Sequence, residues 1–304
     1  MLTTYKFKEL TWIDAEMPTK EEISELMTKY NLDPEVAEDL HSPTPHPRID
    51  LYKDSIFLIL YFPALKHSHT KESNQEIDFV LGKNFIITVR YDTVDALHKF
   101  SKIFEVNSIL EKENFGNHAG FIFFHMLTKI YRSLAHELEY IHDRLTEIEQ
   151  KIFSGREHEV VINLSRVSKD LITFKEALGS HQEILEIFDF AAKKFYGESY
   201  GYLSEAIIKE YHKLLNAAKN VKEFLVELRE TNDSLLNTKQ NESMKIFTLL
   251  ALFTFPLSLI VALLDMDTKY RPIIGSEYDF IVVLVILIVV VAGMFAFFKY
   301  KKWI

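Results

Sequence analysis

Forty-four acidic residues and twelve histidines are the side chains with which this chain could do chemistry, and their spacing decides what kind. His136-Glu137 is followed by His142, six positions after the first histidine. That spacing does not turn both imidazoles to one helix face, so they do not share a metal. His67 and His69 flank Ser68 in a polar stretch. An HxH pair there could hold a transition metal weakly, although solvated loop histidines are the plainer reading. Glu137, Glu139, Asp143, Glu147 and Glu149 read as the solvated face of a helix. GxxxxGK[ST], GxGxxG and HExxH patterns are missing, and the one GxSxG, Gly197–Gly201, lies between two helical stretches and not after a strand, so enzyme catalysis has no support in the sequence. Asp265, Asp267, Glu277 and Asp279 crowd into a short polar loop beside Lys269 and Arg271. With a net charge of -9, the chain suits a transported cation better than a nucleic acid, whose phosphates need a basic surface.

That loop lies between two long apolar runs, Ile246–Leu264 and Phe280–Phe298, neither holding a charged residue. Each is about as long as the ~20 residues needed to cross a bilayer as a helix. The chain therefore reads as a membrane protein with a lipid bilayer as partner. Lys239 and Lys245 precede the first run, and Lys299, Lys301 and Lys302 follow the second. The positive-inside bias predicts both termini in the cytoplasm and the loop outside. No cleaved secretory signal is expected at the start, and no cysteine is available for disulfides. Two spans cannot enclose an aqueous pore, so a conduit requires an oligomer; an anchor for the soluble part is the plain alternative. Pro256 lies mid-run, where it removes a backbone hydrogen bond and can kink a helix. Thr254 and Ser258 add polar groups near it.

The elements that position these residues follow from periodicity. Residues 1–117 read as an α/β domain. Its strand-like runs are Thr4–Lys8, Thr11–Ile13, Arg48–Tyr52, Ser55–Phe62, Ile77–Leu81 and Asn84–Arg90. Thr19 with Glu22 forms a capping-box pattern, and Pro43, Pro45 and Pro47 make a stiff loop. Residues 118–203 read as long antiparallel helices, one over His118–Phe153 and a second over Glu157–Tyr196. Residues 204–264 form a stalk running into the first span. Ile207, Tyr211, Leu214, Ala218, Val221, Leu225, Leu228, Asn232 and Leu235 repeat at 4-3 spacing, the seam of a coiled coil. No glycine or proline interrupts the chain between Gly201 and Pro256, so the spacing predicts one rod of ~90 Å. A loop over 265–279, a second span over 280–298 and a basic tail over 299–304 complete the chain.

These landmarks carry a resemblance. Asn241-Glu242-Ser243-Met244-Lys245, Phe255-Pro256-Leu257, Met266, Tyr270, Pro272 and the run Lys299–Ile304 resemble the C-terminal segment of the CorA-type magnesium transporters. Thr11–Asp14, Leu32-Asp33-Pro34, Ala37–Leu40, His46–Asp50 and Gly82–Phe85 are similar to N-terminal landmarks in the same order. The resemblance implies a homopentamer with an α/β/α cytoplasmic funnel, a long stalk helix continuing as a pore-lining first span, and an outer ring of second spans. It places Asn241, Met244, Phe247, Phe255 and Ser258 toward the pore and Lys299, Lys301 and Lys302 in a basic collar. Asp39 matches an acidic position that helps bind regulatory magnesium between protomers, with Glu205 the nearest candidate partner on the stalk.

One departure stands out. The family ends its first span with Gly-Met-Asn, whereas this chain has Asp265-Met266-Asp267. Two unit charges ~8 Å apart at an effective dielectric of ~20 repel by ~2 kcal/mol, so a ring of such aspartates attracts a cation or a proton. That arrangement implies metal binding at Asp265 and Asp267 without specifying magnesium. The expected function is passage of Mg²⁺ or a related divalent ion down its gradient across the cell (inner) membrane, with no cofactor. The alternative is the same pentamer as a poorly selective conduit or a structural or regulatory protein.

Overall fold

The computed structural model describes residues 1–63, 74–92, 95–110, 116–266 and 278–301. They divide into two compact units, Met1–Glu230 and Thr231–Ile304.

The first unit opens with strands β1 (Leu2–Phe7) and β2 (Leu10–Glu16), followed by helices α1 (Lys20–Tyr30) and α2 (Pro34–Asp39). Strands β3 (Arg48–Leu51), β4 (Ile56–Pro63), β5 (Asn74–Leu81) and β6 (Phe85–Arg90) complete one sheet of order β1-β2-β6-β5-β4-β3. Among the described residues only β2 and β6 pair in parallel, and the other pairings are antiparallel. Strands β4 to β6 are almost continuously buried, because both faces of the sheet are covered.

On one face, Ile13, Ile59, Val80, Ile87 and Val89 pack with Ile23 and Leu26 of α1 and Val36 of α2. The capping box expected at Thr19 is present: the Thr19 N–H donates to Glu22 Oε2 at 2.9 Å, and the Glu22 N–H to Thr19 Oγ1 at 3.3 Å. Helix α2 starts on an Asp33 cap with Pro34 in its first turn, where proline's missing N–H costs nothing.

The opposite face is covered by α3 (Asp95–Leu110), α4 (Ala119–Phe153), α5 (Glu157–Leu178) and α6 (His181–Tyr196). Trp12 meets Phe100 and Phe104 of α3 at 5.3 and 5.5 Å between ring centres. Phe79 meets Phe123 of α4 at 5.3 Å, edge to face. This is the α/β/α layering expected.

The single helix expected over Glu157–Tyr196 is instead two, α5 and α6, separated at Gly179-Ser180. Glycine is a poor helix former, but the tertiary reason is His181. Its Nε2–H donates to the Tyr61 carbonyl at 2.7 Å, and its Nδ1 accepts from the Tyr131 hydroxyl at 2.8 Å. The carbonyl can only accept, which fixes this tautomer. The chain turns at Gly179 so that the imidazole reaches the sheet.

Helix α7 (Gly201–Asp265) is unbroken over 65 residues. In the first unit its seam positions Ile207, Tyr211, Leu214, Val221, Leu225 and Leu228 are buried. The seam is filled from the same chain. Tyr211 lies 6.0 Å from Tyr131 of α4 and donates to the Leu178 carbonyl at 3.1 Å, while Phe224 beside the seam meets His142 of α4 at 5.1 Å.

The second unit holds the rest of α7 and α8 (Asp279–Tyr300). Both are long and apolar enough to cross a membrane, and none of either apolar window is buried within the chain. Helices apolar on all sides need an apolar surrounding. Pro256 is accommodated inside α7 without ending it. The Thr254 hydroxyl donates to the Leu250 carbonyl of its own helix at 2.8 Å, so it is not spent between helices.

Candidate ion pathway and cation sites

In α7 the family-implied pore positions form a stripe. At about 100° per residue, Asn241, Met244, Phe247, Phe255 and Ser258 fall within an arc of about 120°. All five are exposed in the single chain. Asp265, the last residue of α7, falls on the same arc and is also exposed. Ser258 and Asp265 both line a groove of about 830 Å³ between α7 and α8, walled on the α8 side by Leu284, Ile288, Val291 and Phe295. They are the polar lining of an otherwise apolar groove. Phe253 and Phe298 close the two spans against each other, with ring centres 5.2 Å apart. Asp267 and Lys302 lie outside the described residues, as do His67 and His69. Lys299 and Lys301 are exposed at the C-terminal end of α8, where the helix dipole favours cations.

The second cation candidate is Asp39, the last residue of α2. Its carboxylate is ion-paired with Arg48 of β3, whose Nε also reaches Asp50 at 2.8 Å. Two further carboxyls lie on the same sheet face. Asp78 on β5 is wholly buried; its Oδ2 accepts from the Tyr91 hydroxyl at 2.9 Å, and its Oδ1 has no hydrogen-bond partner among the described residues. The Tyr91 hydroxyl also lies 3.4 Å from the Asp39 carbonyl. Glu76 accepts the Thr44 N–H at 2.9 and 3.0 Å and the Thr44 hydroxyl at 3.0 Å, and Tyr61 donates to the Thr44 carbonyl.

Burial, with the neighbouring Glu76 charge second, holds the Asp78 carboxyl well above the ordinary carboxylate range. The Tyr91 hydroxyl is pushed up by burial and then by Asp78. A network of hydrogen bonds therefore ties the end of α2 and the proline loop to the sheet, with a desolvated carboxyl at its centre. Sequence reading missed Glu76, Asp78 and Tyr91. The available signal was two acids at i, i+2 in a strand otherwise rich in apolar residues.

Glu205 is exposed in the first turns of α7, where its charge reaches Lys193. Among the described residues no hydrogen bond or ion pair joins it to Asp39. Among the described residues, no group of three or more acidic or histidine side chains is arranged to hold a metal. His136 bonds Glu139 at 3.1 Å, and the His142 ring meets Phe224 at a tilt, so the two serve separate contacts.

Residues 7–302 match the family described as CorA-like Mg²⁺ transporter protein. The cobalt/magnesium transport protein CorA of Methanocaldococcus jannaschii is 23% identical over 296 residues, covering 97% of this chain and 92% of that protein. The cobalt/magnesium transport protein CorA of Thermotoga maritima is 21% identical over 298 residues, covering 97% and 83%. The complete structure of the CorA magnesium transporter from Methanocaldococcus jannaschii superposes with a TM-score of 0.85 at 22% identity, covering 99% of this chain and 94% of that one.

Proposed function

The chain belongs to the family of CorA-like Mg²⁺ transporters, a family of transporters and not of enzymes, and from that premise we propose that it passes divalent cations across a membrane. The observation that carries this reading is α7: one helix runs from a packed seam into an apolar segment and ends on Asp265. Copies of it arranged in a ring of five enclose the conduit that two spans of one chain cannot. The stripe from Asn241 to Ser258 lines this conduit. Asp265 and Asp267 stand at its outer end, and Lys299, Lys301 and Lys302 collar its cytoplasmic end. Both termini lie in the cytoplasm of a cell whose inner membrane holds the ring.

The driving force is the electrochemical gradient. A ring of carboxylates at the mouth concentrates hydrated divalent ions, and the ions leave because neighbouring sites weaken one another's hold. Mg²⁺ gives up its water reluctantly, so the mouth acts on the hydrated ion. Carboxylates in place of the family's asparagine favour charge over ion identity, and the selectivity is broad among divalent ions. Asp39 serves as a sensor at the protomer boundary with Glu205 as its candidate partner. Because Arg48 already neutralises Asp39, an arriving ion must displace that guanidinium or share the carboxylate with it.

Flux into proteoliposomes tests the reading with Mg²⁺, Co²⁺, Ni²⁺ and Zn²⁺ against wild type, Asp267→Asn and Asp265→Gly. Wild-type flux of at least one ion, weakened by either substitution, supports it; no flux of any of the four defeats it. The exchange of Gly-Met-Asn for Asp265-Met266-Asp267 favours a second reading, a poorly selective conduit or a regulatory membrane protein. That reading predicts no growth rescue of a transporter-deficient strain at low magnesium, and rescue counts against it.

A further inference from the structure

A crevice in the first unit runs between α5 and α7, with a volume of about 460 Å³. That lies within the ~300–1,000 Å³ of small-molecule sites. Its floor is apolar: Leu171, Phe174, Leu178 and Leu225 line it and are buried. Its rim carries Lys175 from α5 and Lys219, Lys222 and Arg229 from α7, and among the described residues no carboxylate lines it. Lys219 is spoken for by Glu223 at 3.8 Å. Lys175, Lys222 and Arg229 have no ion-pair partner among the described residues. In a chain of net charge -9, three cations without an ion-pair partner among the described residues gather at the rim of one apolar crevice.

The shape narrows the ligand further. The lining runs along α7 from Leu215 to Arg229, about 21 Å of helix at about 1.5 Å per residue. An apolar floor of that length suits an extended hydrocarbon chain. Apolar walls with only Ser168 and Asn216 as neutral polar lining offer little to a peptide backbone, whose N–H and C=O groups each need a partner.

We propose that this crevice binds a single-chain anionic amphiphile of the long-chain fatty carboxylate type, its tail along the floor and its head group on the lysine and arginine rim. The site is separate from the ion pathway and does not depend on transport.

The test uses the full-length protein in phosphatidylcholine nanodiscs, photolabelled with a diazirine analogue of palmitate, with adducts mapped by peptide mass spectrometry. Adducts are expected on residues 168–178 and 215–229, falling at least about tenfold with excess palmitate and unchanged by hexadecylamine or hexadecanol. The double substitution Lys222→Glu with Arg229→Glu lowers labelling of those peptides by a similar factor. Val226→Trp does the same by filling the crevice while leaving every charge in place. Circular dichroism and assembly mass matching wild type separate this loss from unfolding. Labelling confined to the spans, or equal competition by the amine or the alcohol, overturns the proposal. So does protection of Lys175 and Lys222 from acetylation in the assembled protein before any amphiphile is added, because a second copy then covers the crevice.

Discussion

Asp78 and His181 are buried titratable groups with opposite consequences for stability. Asp78 has a raised pKa, so its neutral form is the one the fold accepts. That contribution is fully present below the ordinary carboxylate pKa and is lost as pH rises through the folded value. Asp78→Asn keeps an acceptor for Tyr91 and removes the ionisation. It is expected to raise the thermal midpoint by a few degrees at pH 7, with the gain disappearing near pH 4; a variant less stable at both values contradicts this. His181 is fully buried, and desolvation lowers its pKa to about 4. Its neutral form contributes stability above the unfolded pKa, and this is lost as pH falls from about 6.5 toward about 4. About 2.5 pK units correspond to roughly 3 kcal/mol as an upper bound. Tryptophan fluorescence melts across that window should show His181→Gln losing much of the acid sensitivity while being less stable at neutral pH. Arg48 opposes cation capture at Asp39, so Arg48→Ala should shift magnesium-dependent protease protection to several-fold lower concentrations, while Asp39→Ala abolishes it. Protection unchanged in Asp39→Ala removes the sensor from the proposal.

The element that matters most is α7. Its seam is apolar through Leu228 and then meets Asn232, which is buried with its Oδ1 unpartnered among the described residues. A buried amide at a seam position costs stability and fixes register. Asn232→Leu is therefore expected to raise stability by ~1–2 kcal/mol, the scale of an unsatisfied polar group. Chemical denaturation of the full chain measures it, and a loss of stability would show that the amide is held by a partner. The 4-3 repeat was legible because the seam from Ile207 to Leu228 is buried along one face of the helix. The break at Gly179-Ser180 was not, since both sides are helical in pattern and the turn exists to bring His181 to Tyr61 and Tyr131. Short α2 was equally hard to see, being held by an Asp33 cap and a few apolar contacts to the sheet.

For the whole molecule, the proposed ring gives the remaining prediction. Native mass spectrometry of the full chain is expected to show a five-membered assembly, and a monomer in membrane-mimicking conditions contradicts the pathway, because two spans leave no lumen. Spans, acidic excess and family landmarks were all readable in order along the chain, since each depends on local composition. They determined the membrane class, the α/β/α layers and the seam. The tertiary structure alone decided which distant groups meet. It set Asp39 against Arg48, Tyr91 on Asp78, and Lys175 across a crevice from Lys222 and Arg229. Hydrophobic periodicity is a property of neighbours in sequence, whereas charge pairing and desolvation depend on neighbours in space, and only folding makes the second set known.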